Sequence, residues 1–344
     1  MAAHLFFAFL FVGVLITAHS SVLDLPYFWD ELGQFIPAAL DIYYDGDWIA
    51  KSTLPNVHPP GLMAYLALVW KVFGYSVIVT RVSLLVLAGA GVLFVFHLAV
   101  LLCRGVGGLP ALSAVLLLLC SPLFFTQSMM AQLDMPAMVF TALALWLFLK
   151  DRFALSAAAC VLLVLMKETA LTTPAVFGAW LLWERRWRQA LYFVAPALAV
   201  GGWLAYLKAG TGHWLGNKEF THYNVWFQFH PIRLPLTLIR RAFYLFVDNF
   251  HWIGTIVVWL AWRRTRMFYT RAWAVTGTVF VAQVLMVSVF GGAALERYLM
   301  PVLPLFYIAV GSGLLALTVP TRRMALGGMA AGLIAAIFLP PVFP

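Results

Sequence analysis

The chain has 344 residues, of which 64% are hydrophobic and 10% charged, with a formal net charge of +9 at pH 7. With a mean hydropathy of +0.93, it is too apolar for an ordinary soluble domain and reads as an all-α polytopic membrane protein. The charge does not point to nucleic acid, because the basic residues sit in short clusters between apolar runs rather than on one polar face. No alternating pattern of a membrane barrel is present.

The apolar runs predict about eleven transmembrane helices, each near the length that crosses roughly 30 Å of hydrocarbon. They fall near 4–22, 76–103, 108–125, 133–149, 153–166, 169–184, 189–208, 249–262, 272–290, 298–318 and 324–340. The first run has no Lys or Arg before it and is read as a retained helix rather than a cleaved signal peptide. Between the first two spans, the stretch from Leu32 to Tyr44 is expected to form an amphipathic interfacial helix ended by Gly46. His58-Pro59-Pro60 opens a second interfacial helix over 60–74, which is short for a span and carries Lys71. Cys103, Cys120 and Cys160 all lie in apolar segments and read as packing residues.

Short basic turns recur at alternate helix connections: Arg104, Lys150 with Arg152, Arg185-Arg186 with Arg188, Arg263-Arg264 with Arg266 and Arg271, and Arg322-Arg323. Such turns are expected to face the cytoplasm, with the N-terminus inside and the C-terminus outside. The loop 23–75, the turn 126–133, the Lys167-Glu168 corner, the loop 209–248 and the segment from Gly291 to Arg297 then share the external face. No internal repeat is evident, and 1–344 reads as a single integral-membrane module with no separate soluble domain.

Most of the unusual polar residues fall on that external face. Asp30 and Glu31 stand in P-Y-F-W-D-E-L-G-Q-F, where a carboxylate among aromatics can serve as a base, the plainer alternative being a solvated loop start. Asp134 suits a helix N-cap, with Pro136 in the first turn, as well as a second acidic site able to hold Lys167 or a sugar. Lys167 and Arg297 are cations at helix ends; each also has an acidic neighbour, Glu168 or Glu296, that could neutralise it. His58 is either a loop residue or a substrate contact. His213, His222, His230 and His251 lack metal-ligand spacing. The loop from Gly210 to His230, rich in aromatics and amides, suits either sugar faces or an interfacial belt.

These motifs together resemble a known family. The Asp-Glu pair after helix one, the G-D-W of Gly46 to Trp48 and the H-P-P before an interfacial helix are similar to the first external loop of GT-C-fold glycosyltransferases. Within that group the likeness is to the protein O-mannosyltransferases (dolichyl-phosphate-mannose–protein mannosyltransferases) and the lipid A aminoarabinose transferases. It continues in V-T-R-V-S-L-L (Val79 to Leu85), A-Q-L-D-M-P-A-M (Ala131 to Met138), L-M-K-E-T-A-L (Leu165 to Leu171) and E-R-Y-L-M-P-V-L-P (Glu296 to Pro304).

The resemblance implies a GT-C-like bundle and a membrane glycosyltransferase, hexosyl or pentosyl. It would move a sugar from a polyprenyl-phosphate donor to a hydroxyl of a lipid, glycan or protein, outside the cytoplasm of a bacterial inner membrane. Asp30 is then the base, with Glu31 beside it orienting the acceptor or a divalent metal ion. Asp134 is the second acidic residue. Lys167, Arg297 and Tyr298 meet the lipid phosphate, which needs cationic donors more than a general acid. His58 and Glu168 become acceptor or substrate contacts. Two rivals remain at this point: a transporter or flippase, which would favour charges at mid-membrane and repeated helices, and a polymerase or ligase of lipid-linked oligosaccharides.

Overall fold

A computed structural model describes residues 2–103, 108–226, 231–290 and 293–339, so Arg104, His230 and Gly291 lie outside the described residues. It is all-helical, with no strand among the described residues.

Helix α1 (Ala2–His19) is followed by a loop and a π-helical turn, Glu31–Phe35, that runs into α2 (Ile36–Tyr44). Gly46, at φ 75°, turns the chain away after α2, as expected of a glycine past a helix end. Helix α3 (Gly61–Phe73) starts just after Pro59-Pro60, and the longest helix, α4 (Val77–Leu102), starts at Ser76, whose side chain accepts from the Val79 N–H at 3.1 Å. Helices α2 and α3 share a small core of their own: Phe35, Ile36, Leu62, Leu66 and Trp70 pack with Leu84 of α4. The Trp70 indole N–H and the Tyr27 hydroxyl both meet Thr80 Oγ1, at 2.9 and 2.8 Å, fixing that core to the start of α4.

The predicted span 108–125 is instead two helices, α5 (Leu109–Cys120) and α6 (Pro122–Ser128), bent by 69°. Pro122 has no N–H to continue the ladder and takes a first-turn position after Ser121, an N-cap. Helices α7 (Asp134–Leu149) and α8 (Phe153–Met166) form an antiparallel pair, followed by α9 (Thr172–Trp183), the short α10 (Trp187–Ala190) and α11 (Val194–Thr211). The expected loop 209–248 holds α12 (Lys218–Asn224) and α13 (Arg233–Phe246). Helix α14 (His251–Arg264) leaves α13 at 84°, and α15 (Arg271–Val289) follows. The expected span 298–318 is broken into a 3-10 turn at Glu296–Leu299, α16 (Leu303–Gly313) and a second 3-10 turn at Leu314–Ala316; α17 (Val319–Ala336) closes the described chain.

Among the described residues three helices are long and apolar enough to cross a membrane, or up to five if each bent pair is one span. The shorter apolar helices, such as α7 and α8, have the composition of a span without the length that hydropathy alone had assigned to eleven of them. The bundle is apolar both inside and out. Leu85, Leu118, Phe148 and Tyr307 fill its main core, while Phe9, Leu112, Trp183 and Leu198 are exposed on its outer surface, as in a protein solvated by lipid.

Because α7 runs from Asp134 to Leu149 and α8 returns from Phe153 to Met166, the basic turns and the acidic site residues occupy opposite ends of the bundle. At the basic end Arg186 pairs with Asp151 at 3.2 Å and Arg271 with Glu184 at 2.5 Å.

Candidate active site

The loop that carries Asp30 is fixed from behind. Glu31 is fully buried and ion-pairs with Arg81 of α4, and its two oxygens also accept from the backbone N–H groups of Ala131 (2.6 Å) and Phe28 (3.0 Å). The same guanidinium donates to the carbonyls of Met129 (3.0 Å) and Pro26 (3.2 Å). One buried pair therefore joins α1's exit, α4 and the turn before α7. Trp29, the residue just before Asp30, stands at φ 52°, a left-handed conformation that is costly for a bulky side chain.

With Glu31 held inward, Asp30 faces a cavity of about 820 Å³, within the usual range of roughly 300–1,000 Å³ for small-molecule sites. Asp134, Lys167, Glu168, Arg297, Tyr298 and His58 line the same cavity. Their elements explain the convergence. Asp134 is in the first turn of α7, Lys167 follows the last turn of α8, and Arg297 sits on the 3-10 turn ahead of α16. Arg297 ion-pairs with Asp30 and has its Nε 3.6 Å from Asp134 Oδ2, and Lys167 ion-pairs with the other oxygen of Asp134. The four charges form one connected, formally neutral set. Burial alone would favour a neutral Arg297, but Asp134 and Asp30 outweigh it and hold the guanidinium above its ordinary pKa.

Two plainer sequence readings are thereby replaced. Lys167 is neutralised by Asp134 rather than by Glu168, and Arg297 by Asp30 and Asp134 rather than by Glu296. Asp134 makes no side-chain cap; Leu133 holds the N-cap position. Tyr298 lies under cations: Lys167 Nζ is 4.3 Å from its ring centroid, and the guanidinium carbons of Arg241 and Arg297 are at 5.5 and 5.6 Å.

His58 donates from Nδ1 to Glu168 Oε2 at 2.9 Å, while Asn56 Oδ1 accepts from its backbone N–H at 3.0 Å. Burial pushes the Glu168 carboxyl up, but His58 and Lys167 outweigh it and leave the group below its ordinary value. The pair meets because α3 abuts the end of α8 at Gly61, where an added Cβ would stand 2.4 Å from the Leu165 carbonyl oxygen. The far wall is pinned to this loop. Trp203 Nε1 donates to the Val57 carbonyl at 2.8 Å, Asn217 Nδ2 donates to the Pro55 carbonyl at 2.6 Å, and the Phe220 ring stands edge-on to His58 at 5.6 Å.

Every site residue expected from sequence except Glu31 lines the cavity. The expectation that Glu31 sits beside Asp30 facing the acceptor or a metal is corrected: it faces Arg81, away from the cavity. Among the described residues no group of three or more His, Cys, Asp or Glu side chains could hold a metal ion. The two carboxylates on the charged side are already shared with Lys167 and Arg297, so the donor set does not suit a divalent cation.

Sequence reasoning gave Arg81 no role beyond its motif, and it overlooked Arg241. That fully buried arginine of α13 donates to the carbonyls of Val287 (2.7 Å) and Leu295 (3.2 Å), fixing the turn that bears Arg297. The one available signal was an Arg-Arg pair, Arg240-Arg241, in an otherwise apolar stretch.

This helical bundle, with two short helices in its first large loop and a charged cavity beside them, has the GT-C fold. Two solved structures share it: ArnT from Cupriavidus metallidurans bound to undecaprenyl phosphate, with a TM-score of 0.67 and 21% identity, and the same protein in the apo state, with a TM-score of 0.66 and 20% identity. Each alignment covers 93% of this chain but only 62% or 61% of ArnT, so the chain spans less than two thirds of that protein's length. At this identity the likeness establishes the fold. No protein-family model and no curated protein sequence matches the chain.

Proposed function

We propose that the protein is a GT-C glycosyltransferase that moves a sugar from a polyprenyl-phosphate carrier to a hydroxyl acceptor on the external face of a bacterial inner membrane. The shorter apolar helices are read as further crossings of that membrane, toward the eleven expected from hydropathy. The observation that carries the reading is the connected set Asp30–Arg297–Asp134–Lys167 lining one cavity, in a fold shared with a protein solved with undecaprenyl phosphate.

In this reaction the acceptor oxygen attacks the anomeric carbon while the bond from that carbon to the phosphate oxygen breaks. The hydroxyl proton passes to Asp30, and the bonding electrons leave with the lipid phosphate. A single displacement inverts the anomeric centre. The leaving phosphate gains charge, so fixed cations lower the barrier: Arg297 offers a planar pair of N–H groups and Lys167 a compact point charge. Tyr298, packed under both, adds a hydroxyl. On the other side of the cavity His58 and Glu168 form a hydrogen-bonding pair suited to acceptor hydroxyls, beside the Phe220 ring.

The test is turnover with polyprenyl-phosphate sugars, reading the product by mass spectrometry. Asp30→Asn is expected to lower the transfer rate by about 10²–10⁴-fold, the usual contribution of a general base, while the protein still folds. Normal turnover by that variant removes Asp30 as the base.

A further inference from the structure

Asp30 and Asp134 both touch Arg297, yet their settings differ. The Asp134 side chain is 3% exposed and is shared between Arg297 and Lys167. The Asp30 side chain is 21% exposed and reaches Arg297 from the cavity side. Arg297 also has a buried Nε with no hydrogen bond, 3.6 Å from Asp134. The guanidinium is thus held loosely on one edge and capped by a carboxylate on the other.

We propose that the two carboxylates act oppositely toward the donor: Asp134 is a positioning residue that keeps Lys167 and Arg297 aimed at the lipid phosphate, whereas Asp30 occupies the phosphate's place on Arg297 and is displaced by it. The inference rests on the glycosyl-transfer reading. A phosphate entering this set must exchange with one carboxylate, because the four protein charges already balance. Taking a partner from nearly buried Asp134 would leave an uncompensated interior charge, the costlier of the two exchanges. Asp30, at 21% exposure on the cavity side, can turn toward the cavity, and an ion pair with a partly exposed partner is the weaker of the two to give up. Asp30 is therefore the carboxylate that yields.

Two consequences follow for the reaction. Asp30 becomes free to take a proton only after phosphate has replaced it on Arg297, so donor binding arms the base. Donor then binds before the acceptor is activated, and an acceptor hydroxyl meets no competent base in a donor-free enzyme.

The measurement is the affinity of the full chain, in detergent or nanodiscs, for undecaprenyl phosphate. It is made on the wild type, Asp30→Asn, Asp134→Asn and Glu168→Gln. Asp30→Asn is expected to bind about three- to tenfold more tightly than the wild type, since a competitor for Arg297 is gone. Asp134→Asn is expected to bind at least about tenfold more weakly, since both cations lose their anchor. Glu168→Gln removes a carboxylate of the same cavity that pairs with His58; it should change affinity less than Asp30→Asn does. Equal or weaker binding by Asp30→Asn overturns the inference, as does a gain in Asp134→Asn or an equal gain in Glu168→Gln, which would mark a general effect of negative charge. Melting temperatures, with Asp30→Ala as a second variant, separate a lost competitor from a lost fold. No binding by the wild type would instead overturn the polyprenyl-phosphate reading itself.

Discussion

Asp30 and Glu31 are consecutive and each pairs with an arginine, but they lie on opposite sides of one loop. Glu31 faces inward at 0% exposure, with Arg81 and two backbone N–H groups completing its hydrogen bonds. Asp30 faces outward onto the cavity, where Arg297 reaches it from a turn 267 residues away. The inner pair is buried, and both Glu31 oxygens accept hydrogen bonds; the outer one is partly exposed and has a cavity beside it. Identical chemistry thus serves anchoring in one place and exchange in the other, with burial and the number of hydrogen bonds deciding which.

The strongest way to break this comparison is to remove the inner arginine. Arg81→Ala leaves Glu31 buried without a counter-charge and frees the carbonyls of Pro26 and Met129. Breaking such a pair costs about 3–5 kcal/mol, a large part of any fold's stability. Thermal or denaturant unfolding of the purified variant should show that loss, and prenyl-phosphate binding should fall with it. A variant of near-normal stability would mean that the inner pair does not anchor the loop.

A smaller effect is expected at the contact that brings His58 and Glu168 together. Gly61→Ala places a methyl against the backbone of Leu165, where no side-chain movement can make room. Overpacking of this kind costs about 1–3 kcal/mol. Because the shift separates α3 from the end of α8, the His58–Glu168 hydrogen bond should be lost before the Asp134–Lys167 pair. Transfer should therefore fall more than prenyl-phosphate affinity does. Equal losses in both would show that the two halves of the cavity are not mechanically separate.

Much of the site was legible in the sequence, though its wiring was not. Alternating basic turns put Asp30, Asp134, Lys167 and Arg297 at one end of the bundle, and motif resemblance singled out the same residues. The cavity then joins them. The partners were hidden because a residue's nearest charge in sequence need not share its direction. Lys167 has an extended backbone at φ −153°, so it and Glu168 diverge toward Asp134 and His58. Neither the loop's two-sidedness nor the buried Arg241 leaves a periodic signal, since both depend on contacts 46 or more residues away. The helix breaks were more readable than hydropathy suggested: Ser121-Pro122 is a cap and a first-turn proline inside an apolar run.

The finest test concerns the strained residue that leads into the two carboxylates. Trp29, 70% exposed, adopts φ 52° immediately before the outer carboxylate, Asp30, with the inner one, Glu31, next in the chain. Holding a bulky residue there costs about 1–3 kcal/mol. Trp29→Gly relieves that cost but adds unfolded-chain freedom worth roughly 0.5–1 kcal/mol, so net stability should change by little or rise slightly. If the strain serves to present Asp30, the freed backbone should lower kcat while melting temperature holds. Trp29→Ala keeps the constrained backbone and removes only the ring, which separates the two contributions. A fall in kcat with glycine but not alanine ties the strain to Asp30; an equal fall in both assigns the effect to the indole at the cavity rim. Unchanged kcat in both would leave the inner pair as sufficient, by itself, to aim the outer carboxylate.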